Sequence, residues 1–200
     1  MPADAATSTH ATERDAGLRR DIRELGALLG HTLVRQEGEQ LLELVERTRA
    51  LIRSDRDAAA ALLTEVEPAA AIRLVRAFST YFHLANVAEQ VHRGRELAGI
   101  RERDGSWLSQ AADRIAAAGI SREDLAAEVG RLCVRPVFTA HPTEAARRTV
   151  LYKLREIADL LESGGPRVTA RLEETIDLLW QTDEMRIARP DVVDEARNAV

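Results

Sequence analysis

The chain has 200 residues, of which 45% are hydrophobic and 30% are charged, and its formal net charge at pH 7 is −5. This composition predicts a folded protein with one sizeable core, or one domain and the start of another. Its arginines alternate with Asp and Glu along predicted helices, which argues against an electrostatic nucleic-acid-binding protein. No stretch approaches the roughly 18 consecutive apolar residues of a membrane-spanning helix.

The N-terminal residues and the cysteine content indicate in which cellular compartment the protein is expected. Residues 1–15 contain no apolar segment and carry Asp4, Glu13 and Asp15, which argues against a secretory signal and against an acid-poor transit peptide. We expect residues 1–15 to form a flexible tail. Cys133 is the only cysteine, so an intramolecular disulfide and zinc sites built on two or four cysteines are excluded, as in a protein of the reducing cytosol.

Helical periodicity dominates residues 16–132. Apolar residues recur at three- and four-residue intervals from Leu18 to Leu29 and from Leu41 to Ile52, which predicts two antiparallel helices. A long helix is expected to begin at Pro68 and to run to about Leu97, where Gly99 and a polar connection follow. Two shorter helices are predicted at 107–118 and 121–132, the second of them opened by Ser121 and Asp124 as a weak capping box.

The long helix carries aromatic and imidazole side chains that need an interpretation. The spacing of its large apolar residues predicts a core-facing set consisting of Phe78, Phe82, Ala85 and Val91. His83 and His92 lie nine residues apart, which places them on opposite helix faces and argues against a joint metal site.

The pattern changes near residues 134–140. Val134, Val137 and Phe138 form a β-branched and aromatic run too short for a helix, which predicts one strand. A single strand cannot make a sheet, so its pairing partners must lie outside this sequence. The pattern therefore indicates an incomplete sequence.

A histidine follows this strand directly. Pro142 favours the first turn of a helix, which makes His141 the expected N-cap and puts Glu144 at the third helical position. The positive end of the helix dipole disfavours imidazolium, so His141 is expected to act as a base or as a hydrogen-bond partner for an anion. Arg147 and Arg148 follow one to two turns later.

Two helices complete the chain. The first is predicted from Pro142 to about Leu161, and its buried stripe consists of Val150, Leu154, Ile157 and Leu161. The second is predicted at 167–188, with an apolar stripe consisting of Val168, Leu172, Ile176 and Leu179. Continuing that stripe places Asp183 and Arg186 on the same face, so the two charges must pair with each other, reach a polar pocket or lie beyond the core.

Three segments of this sequence resemble one protein family in the family's own order. Residues 139–149 read T-A-H-P-T-E-A-A-R-R-T, residues 76–90 contain R-A-F followed by L-A-N-V-A-E-Q, and residues 181–190 contain T-D-E-M-R followed by a proline. Asp194 and Glu195 match a further acidic pair. These segments are similar to the histidine signature and flanking motifs of phosphoenolpyruvate carboxylase.

The resemblance implies a fold and a reaction. It implies a mostly α fold, the helical N-terminal part of a β/α-barrel enzyme, with residues 16–132 as a helical region and residues 133–200 as the start of the barrel, whose first strand lies near 134–140. Barrel enzymes carry their sites at the C-terminal ends of strands, where His141 would lie. The implied reaction carboxylates phosphoenolpyruvate with bicarbonate to oxaloacetate and phosphate, and His141 is the implied catalytic residue.

The resemblance also implies cofactors, partners and regulation. The cofactor is Mg²⁺ or Mn²⁺, whose ligands are expected beyond residue 200. The implied enzyme is a cytoplasmic, allosteric homotetramer that fixes carbon dioxide and supplies the tricarboxylic acid cycle, without a nucleic-acid or membrane partner. Arg147, Arg148 and Arg186 match positions that bind an activating sugar phosphate in some members of the family. Asn86, Glu89 and Gln90 are flagged by the resemblance as possible buried hydrogen-bonding positions.

The length of the chain leaves alternatives open, because enzymes of this family are several times longer. The chain is therefore expected to be inactive alone, as the N-terminal part of a longer enzyme. The alternative is a non-catalytic helical module that binds a partner or an effector anion. An autonomous acid/base enzyme built on His141 is a third hypothesis, but no nucleophile or metal set accompanies the histidine.

Overall fold

The computed structural model describes residues 4–137, 146–165, 167–185 and 191–198, with side chains described except at 4–15, 103–104, 194–195 and 198. In these residues the chain forms helices and no strand: α1 (Asp4–Glu37), α2 (Glu39–Ser54), α3 (Arg56–Thr64), α4 (Pro68–Asp104), α5 (Trp107–Ala117), α6 (Arg122–Arg131), α7 (Arg148–Ser163), α8 (Val168–Trp180) and α9 (Val192–Asn198). The mostly α class is confirmed. No helix in this described part is long and apolar enough to cross a membrane.

Short local signals set the boundaries of the first helices. Gly38 separates α1 from α2 with φ at 93°, a left-handed conformation that glycine adopts without a steric penalty. Asp55 ends α2 and also opens α3, because its side chain accepts a hydrogen bond from the amide of Ala58 at 2.9 Å. Pro68 occupies the first position of α4, where its missing N–H costs nothing.

The helices belong to two compact units. The first unit contains α1, α2, α3, the part of α4 up to His92, α7 and α8, and it holds one continuous apolar core. The largest fully buried side chains in that core include Leu25, Leu33, Leu84, Ile157, Leu172, Ile176 and Trp180. The second unit contains α4 from Arg93 onwards, α5, α6 and α9, and none of the residues in α5 and α6 is buried.

Polar side chains join α1 to α8. Thr32, which is fully buried, donates a hydrogen bond to Oδ1 of Asp177 at 2.7 Å, and the Arg35 guanidinium donates to both carboxylate oxygens of Asp177 at 2.7 Å. Burial raises the pKa of the Asp177 carboxyl, but the hydrogen bonds from Thr32 and Arg35 outweigh this and hold the pKa below its usual value. These bonds fix the position of α8 along α1.

Several predicted elements are confirmed. Helices occur at both predicted N-terminal positions, and the two short helices 107–118 and 121–132 agree with α5 and α6 to within two residues. Ser121 caps α6 as predicted, because its hydroxyl accepts from the amide of Asp124 at 3.1 Å. The predicted apolar stripes of α7 and α8 face the core, in which Val150, Ile157, Leu161, Leu172, Ile176 and Leu179 are buried.

The predicted end of α4 differs from the structure. Helix α4 continues through Gly99 to Asp104 and stops before Gly105, whose φ is 75°, since a single glycine weakens a helix by only about 1 kcal/mol. Residues 4–15 have helical backbone within α1, and the expectation of a flexible tail at residues 1–15 stays a prediction. The division of the chain into tail, helical region and barrel start stays a prediction.

The predicted core face of α4 was wrong by one helical position. Phe82 is 59% exposed and Phe78 is only half-buried, while the buried stripe consists of Leu74, Ala77, Leu84, Val87, Ala88 and Val91. Of the predicted set, Val91 alone is buried. The prediction followed the largest side chains, whereas the contacts follow the longer periodic stripe. Asn86, Glu89 and Gln90 are exposed, so the expectation of buried hydrogen-bonding positions there was also wrong.

The predicted strand near 134–140 was wrong for its described part. Residues 132–137 form no strand, and Val134 and Val137 are 93% and 81% exposed. Residues 138–140 lie outside the described residues. A strand needs a neighbour for its backbone hydrogen bonds, and none of the described segments pairs with residues 134–137. The only β pairing in the described part is an isolated bridge between Ala146 and Met185.

A pair of buried threonines provides a test of this packing. Thr32→Val is expected to lower the free energy of unfolding by about 1–2 kcal/mol, because it removes a hydrogen-bond donor from the half-buried Asp177 carboxylate. Thr48→Val is expected to be neutral or stabilising, because the buried Thr48 hydroxyl has no hydrogen-bond partner in the described part. Urea unfolding of both variants and wild type measures the two effects. Equal destabilisation by both substitutions would contradict the assignment.

Candidate functional site

Described residues of all three motif segments meet in the first unit at the end of α8. Arg76, Ser79 and His83 come from α4, Arg147 directly precedes α7, and residues 180–184 leave the end of α8. We call Arg76, Ser79, His83, Arg147 and residues 180–184 the motif junction. Segments separated by about a hundred positions in the sequence thus form one polar site.

Arg76 determines where α8 ends. Its Nη2 donates to the carbonyl oxygen of Trp180, the last residue of α8, and to that of Thr182 at 3.1 Å. Its guanidinium carbon also lies 4.8 Å from the centre of the Trp180 ring. The last carbonyls of a helix lack partners and carry partial negative charge, so a cation placed there stabilises the terminus, and its contact with the indole adds a cation–π interaction.

Trp180 is anchored from the opposite side. Its indole Nε1 donates to Oε1 of Glu37 at 3.0 Å, and the other carboxylate oxygen of Glu37 lies 3.2 Å from Nη1 of Arg73. The indole ring is buried, and its N–H has the partner that a buried donor requires. The end of α8 is therefore held between α1 and α4.

Glu184 links all three motif segments. Ser79 donates to its carboxylate oxygens at 3.0 and 3.1 Å, and Nε2 of His83 lies 2.7 Å from Oε1. The backbone carbonyl of Glu184 accepts from the amide of Arg147 at 2.9 Å. One residue thus fixes the segment after α8 to α4 through its side chain and to the start of α7 through its backbone.

The environment of Glu184 favours its charged form. Burial raises the pKa of the Glu184 carboxyl, but the hydrogen bonds from His83 and Ser79, together with electrostatic attraction to His83 and Arg76, outweigh burial and lower this pKa below its usual value. The carboxylate is therefore ionised near neutral pH. It is a strong acceptor that holds both donors of α4 in place.

The junction does not form a nucleophilic triad. Such a site requires a hydrogen bond from the serine hydroxyl to the imidazole. Here the hydroxyl of Ser79 and the imidazole of His83 both bind Glu184, and no hydrogen bond joins Ser79 to His83. The arrangement orients backbone and side chains; it does not activate Ser79.

Of the predicted site residues, Arg147 and Arg148 are described, and His141 and Arg186 lie outside the described residues. Nη2 of Arg147 lies 3.0 Å from Oδ2 of Asp183, whose side chain is 79% exposed. Arg148 is exposed at the first position of α7. Asp183 therefore pairs with Arg147, a partner that the sequence analysis did not consider for it.

Two helix predictions in this region were wrong. Helix α7 begins at Arg148 and not at Pro142, because Arg147 has extended backbone at φ −68° and ψ 144°, and its amide is bonded to Glu184. From the sequence, His141 was expected to cap the helix that became α7. Because α7 begins at Arg148, His141 is not the N-cap of this helix. Helix α8 ends at Trp180 and not near Ala188, so Asp183 does not prolong the apolar stripe of that helix.

The sequence did not predict a site role for Arg76, Ser79, His83 or Glu184. Their spacing could have indicated a shared site, because Arg76, Ser79 and His83 recur at intervals of three and four positions and so lie on one helix face. A metal site is not formed by the described residues, which bring no three His, Cys, Asp or Glu side chains together.

The pH dependence of stability tests the role of Glu184. Because the folded-state pKa of Glu184 is depressed, its contribution is present above its usual pKa near 4.5 and is lost as the pH falls through the lower folded value. Glu184→Gln is expected to lower the free energy of unfolding by about 1–3 kcal/mol at pH 7. The difference from wild type should shrink as the pH falls below the usual pKa of a glutamate. Urea unfolding between acidic and neutral pH measures it.

Glu174→Gln provides the matched control, because Glu174 lies exposed on α8 and pairs with Arg171 within the same helix. Its stability curve is expected to run parallel to that of wild type. A difference between Glu184→Gln and wild type that does not change with pH would contradict the depressed pKa.

The sequence was compared with protein families and with individual relatives. The model of the phosphoenolpyruvate carboxylase family matches residues 18–200. A phosphoenolpyruvate carboxylase of Xanthomonas campestris pv. campestris (strain 8004) is 40% identical over 201 aligned positions, which cover 90% of this chain and 22% of the relative. Those of Azorhizobium caulinodans and Roseiflexus castenholzii are 38% and 37% identical, and the alignments cover 94% and 96% of this chain.

The alignments with the Azorhizobium and Roseiflexus enzymes also cover 22% of each relative, so the chain spans about a fifth of the length of the relatives it matches. The family match includes all three motif segments and every residue of the motif junction. The chain belongs to the phosphoenolpyruvate carboxylase family.

Proposed function

We propose that this chain acts as the N-terminal part of a phosphoenolpyruvate carboxylase, which carboxylates phosphoenolpyruvate with bicarbonate to oxaloacetate and phosphate. The observation that carries the proposal is the meeting of the three motif segments at Glu184 and Arg76, within a sequence that belongs to this family. A motif match by chance would not require its separate segments to share hydrogen bonds.

The proposed reaction has three steps. An oxygen of bicarbonate attacks the phosphorus atom and the bond from phosphorus to the enol oxygen breaks, which gives carboxyphosphate and the enolate of pyruvate. Carboxyphosphate then loses carbon dioxide and leaves phosphate, and the terminal enolate carbon attacks the carbon dioxide to give oxaloacetate. His141 takes the proton of carboxyphosphate or orients it for this breakdown.

The other parts of the site come from the longer polypeptide. Mg²⁺ or Mn²⁺ would neutralise the charge of the phosphate and the enolate, and its ligands are assigned to residues beyond 200. We propose the cytoplasm as the location and a homotetramer as the assembly of the full-length enzyme. The chain by itself is proposed to be inactive.

Activity measurements test this proposal directly. Oxaloacetate formation, coupled to malate dehydrogenase, is expected from the longest polypeptide encoded with this sequence and not from the 200-residue chain alone. His141→Asn in the long form is expected to reduce the rate about a hundredfold or more, while His31→Asn, a change at an exposed position of α1, leaves it unchanged. Activity of the 200-residue chain, or full activity of His141→Asn, would contradict the proposal.

An anion-binding role is proposed for Arg147, Arg148 and Arg186, with a sugar phosphate as the ligand. Arg147 is the N-cap of α7 and Arg148 is its first residue, and the first turn contains no acidic residue. Cations are unfavourable at the positive end of a helix dipole, so this arrangement is stabilised by a bound anion. Asp183 already supplies one carboxylate at 3.0 Å from Arg147, an exposed pair of the kind that a phosphate can replace.

Because Asp183 competes with the ligand for Arg147, the variants are expected to change the affinity in opposite directions. Arg147→Ala and Arg148→Ala are each expected to weaken the binding of glucose 6-phosphate about tenfold, whereas Asp183→Asn strengthens it by removing the competing carboxylate. Arg155→Ala, at an exposed position later in α7, is the control. Isothermal titration calorimetry on the 200-residue chain measures all four variants, and equal affinities throughout would contradict the anion site.

The same titration separates the two main hypotheses. Anion binding by the chain, together with an inactive long form, would favour the non-catalytic module. Anion binding together with His141-dependent activity supports an allosteric carboxylase.

A further inference from the structure

An open apolar groove lies in the first unit between α1, α2 and α4. Its cavity volume is about 960 Å³. Its apolar surface is formed by Ile22, Leu29, Leu33, Leu42, Val45, Ile52, Ala77, Phe78, Tyr81 and Phe82, and its charged rim includes Arg23, Arg49 and Arg53. We call this surface the arginine-rimmed groove.

Large apolar side chains of the groove face solvent. Phe82 on α4 is 59% exposed and Ile52 on α2 is 47% exposed. Water contact with such side chains is unfavourable by about 25 cal/mol for each Å² of apolar surface. A contiguous apolar surface with a polar rim is typical of a site that binds another molecule.

Positive charge is concentrated along part of the rim. Helix α2 folds back along α1, as the proximity of Leu42 to Gly30 indicates, so Arg23 of α1 lies towards the same end of the groove as Arg49 and Arg53 of α2. Glu46 offsets one of these charges, since its carboxylate pairs with Arg49 at 2.9 Å.

The remaining two arginines keep their charge available to a ligand. The Nε atoms of Arg23 and Arg53 donate to the backbone carbonyls of Arg19 and Arg49 within their own helices. Neither guanidinium forms an ion pair with a described carboxylate. The groove therefore combines an apolar floor with an excess of positive charge at one end.

The dimensions of the groove fit a helix. Its wall on α1 extends from Ile22 to Leu33 and its wall on α2 from Leu42 to Arg53, each a length of about 16 Å, or three helical turns. A partner helix of that length can place residues at three- and four-position intervals on the apolar floor. Acidic residues near one end of it can reach Arg23 and Arg53.

We propose that the arginine-rimmed groove binds an amphipathic helix of a partner protein, with an apolar face against Phe82 and Ile52 and acidic residues facing Arg23 and Arg53. This interaction is independent of the proposed carboxylation, because none of the groove residues belongs to the motif junction. Its affinity should fall as ionic strength rises, since the rim charges are partly solvent-exposed.

A designed peptide tests the proposal. The probe is a fluorescein-labelled helix of about 12 residues, with leucines at helical spacing on one face and glutamates near one end; in its control peptide lysines replace the glutamates. Fluorescence anisotropy on the 200-residue chain is expected to show saturable binding of the acidic peptide and at least about tenfold weaker binding of the basic one.

Substitutions at exposed positions separate the two parts of the groove. Phe82→Ala and Ile52→Ala are expected to weaken binding of the acidic peptide about tenfold each, at low and high salt alike. The double substitution Arg23→Ala and Arg53→Ala is expected to weaken binding mainly at low salt. Ile72→Ala and Val75→Ala are the controls, because both side chains are exposed on α4 outside the groove; circular dichroism verifies that each variant is folded.

Three results would overturn the proposal. The first is no saturable binding at millimolar peptide, and the second is equal binding of the acidic and basic peptides. The third is a dimer of the chain in sedimentation experiments that Phe82→Ala dissociates, which would make a second copy the occupant of the groove.

Discussion

The guanidinium of Arg76 determines the geometry of the candidate site, because it ends α8. It supplies hydrogen bonds to the carbonyls of Trp180 and Thr182 and lies against the Trp180 ring. Once the helix has stopped there, residues 182–184 leave its axis and Glu184 can reach α4 and the start of α7. A helix continuing to residue 188 would make its own carbonyl bonds, and Glu184 would be unable to form these contacts.

Glu184 converts this helix end into a connected site. Its side chain satisfies the hydroxyl of Ser79 and the imidazole of His83, while its backbone holds the amide of Arg147. The residue therefore couples the position of α4 to the position of the arginines that open α7. A carboxylate suits this role because it accepts several strong hydrogen bonds at once and remains charged at neutral pH.

Two kinds of surface remain open around this framework. The arginine-rimmed groove leaves Phe82 and Ile52 in contact with solvent, and the described α5 and α6 contain no buried residue even though Trp107 and Leu108 are large and apolar. Helices acquire most of their stability from burying an apolar face. Both surfaces therefore leave large apolar side chains unburied in the described part of the chain.

The sequence by itself determined the family, the mostly α class and the apolar stripes of α7 and α8, because motif order and helical periodicity are local properties. It also located the cap at Ser121, although it placed the helix starting at Arg148 too early and the end of α8 too late. Only the tertiary structure decided those ends, the core face of α4 and the partners of Glu184 and Asp183. Each depends on side chains from distant helices, and hydrogen bonds such as those of Arg76 and Arg147 override local helix propensity when the chain folds.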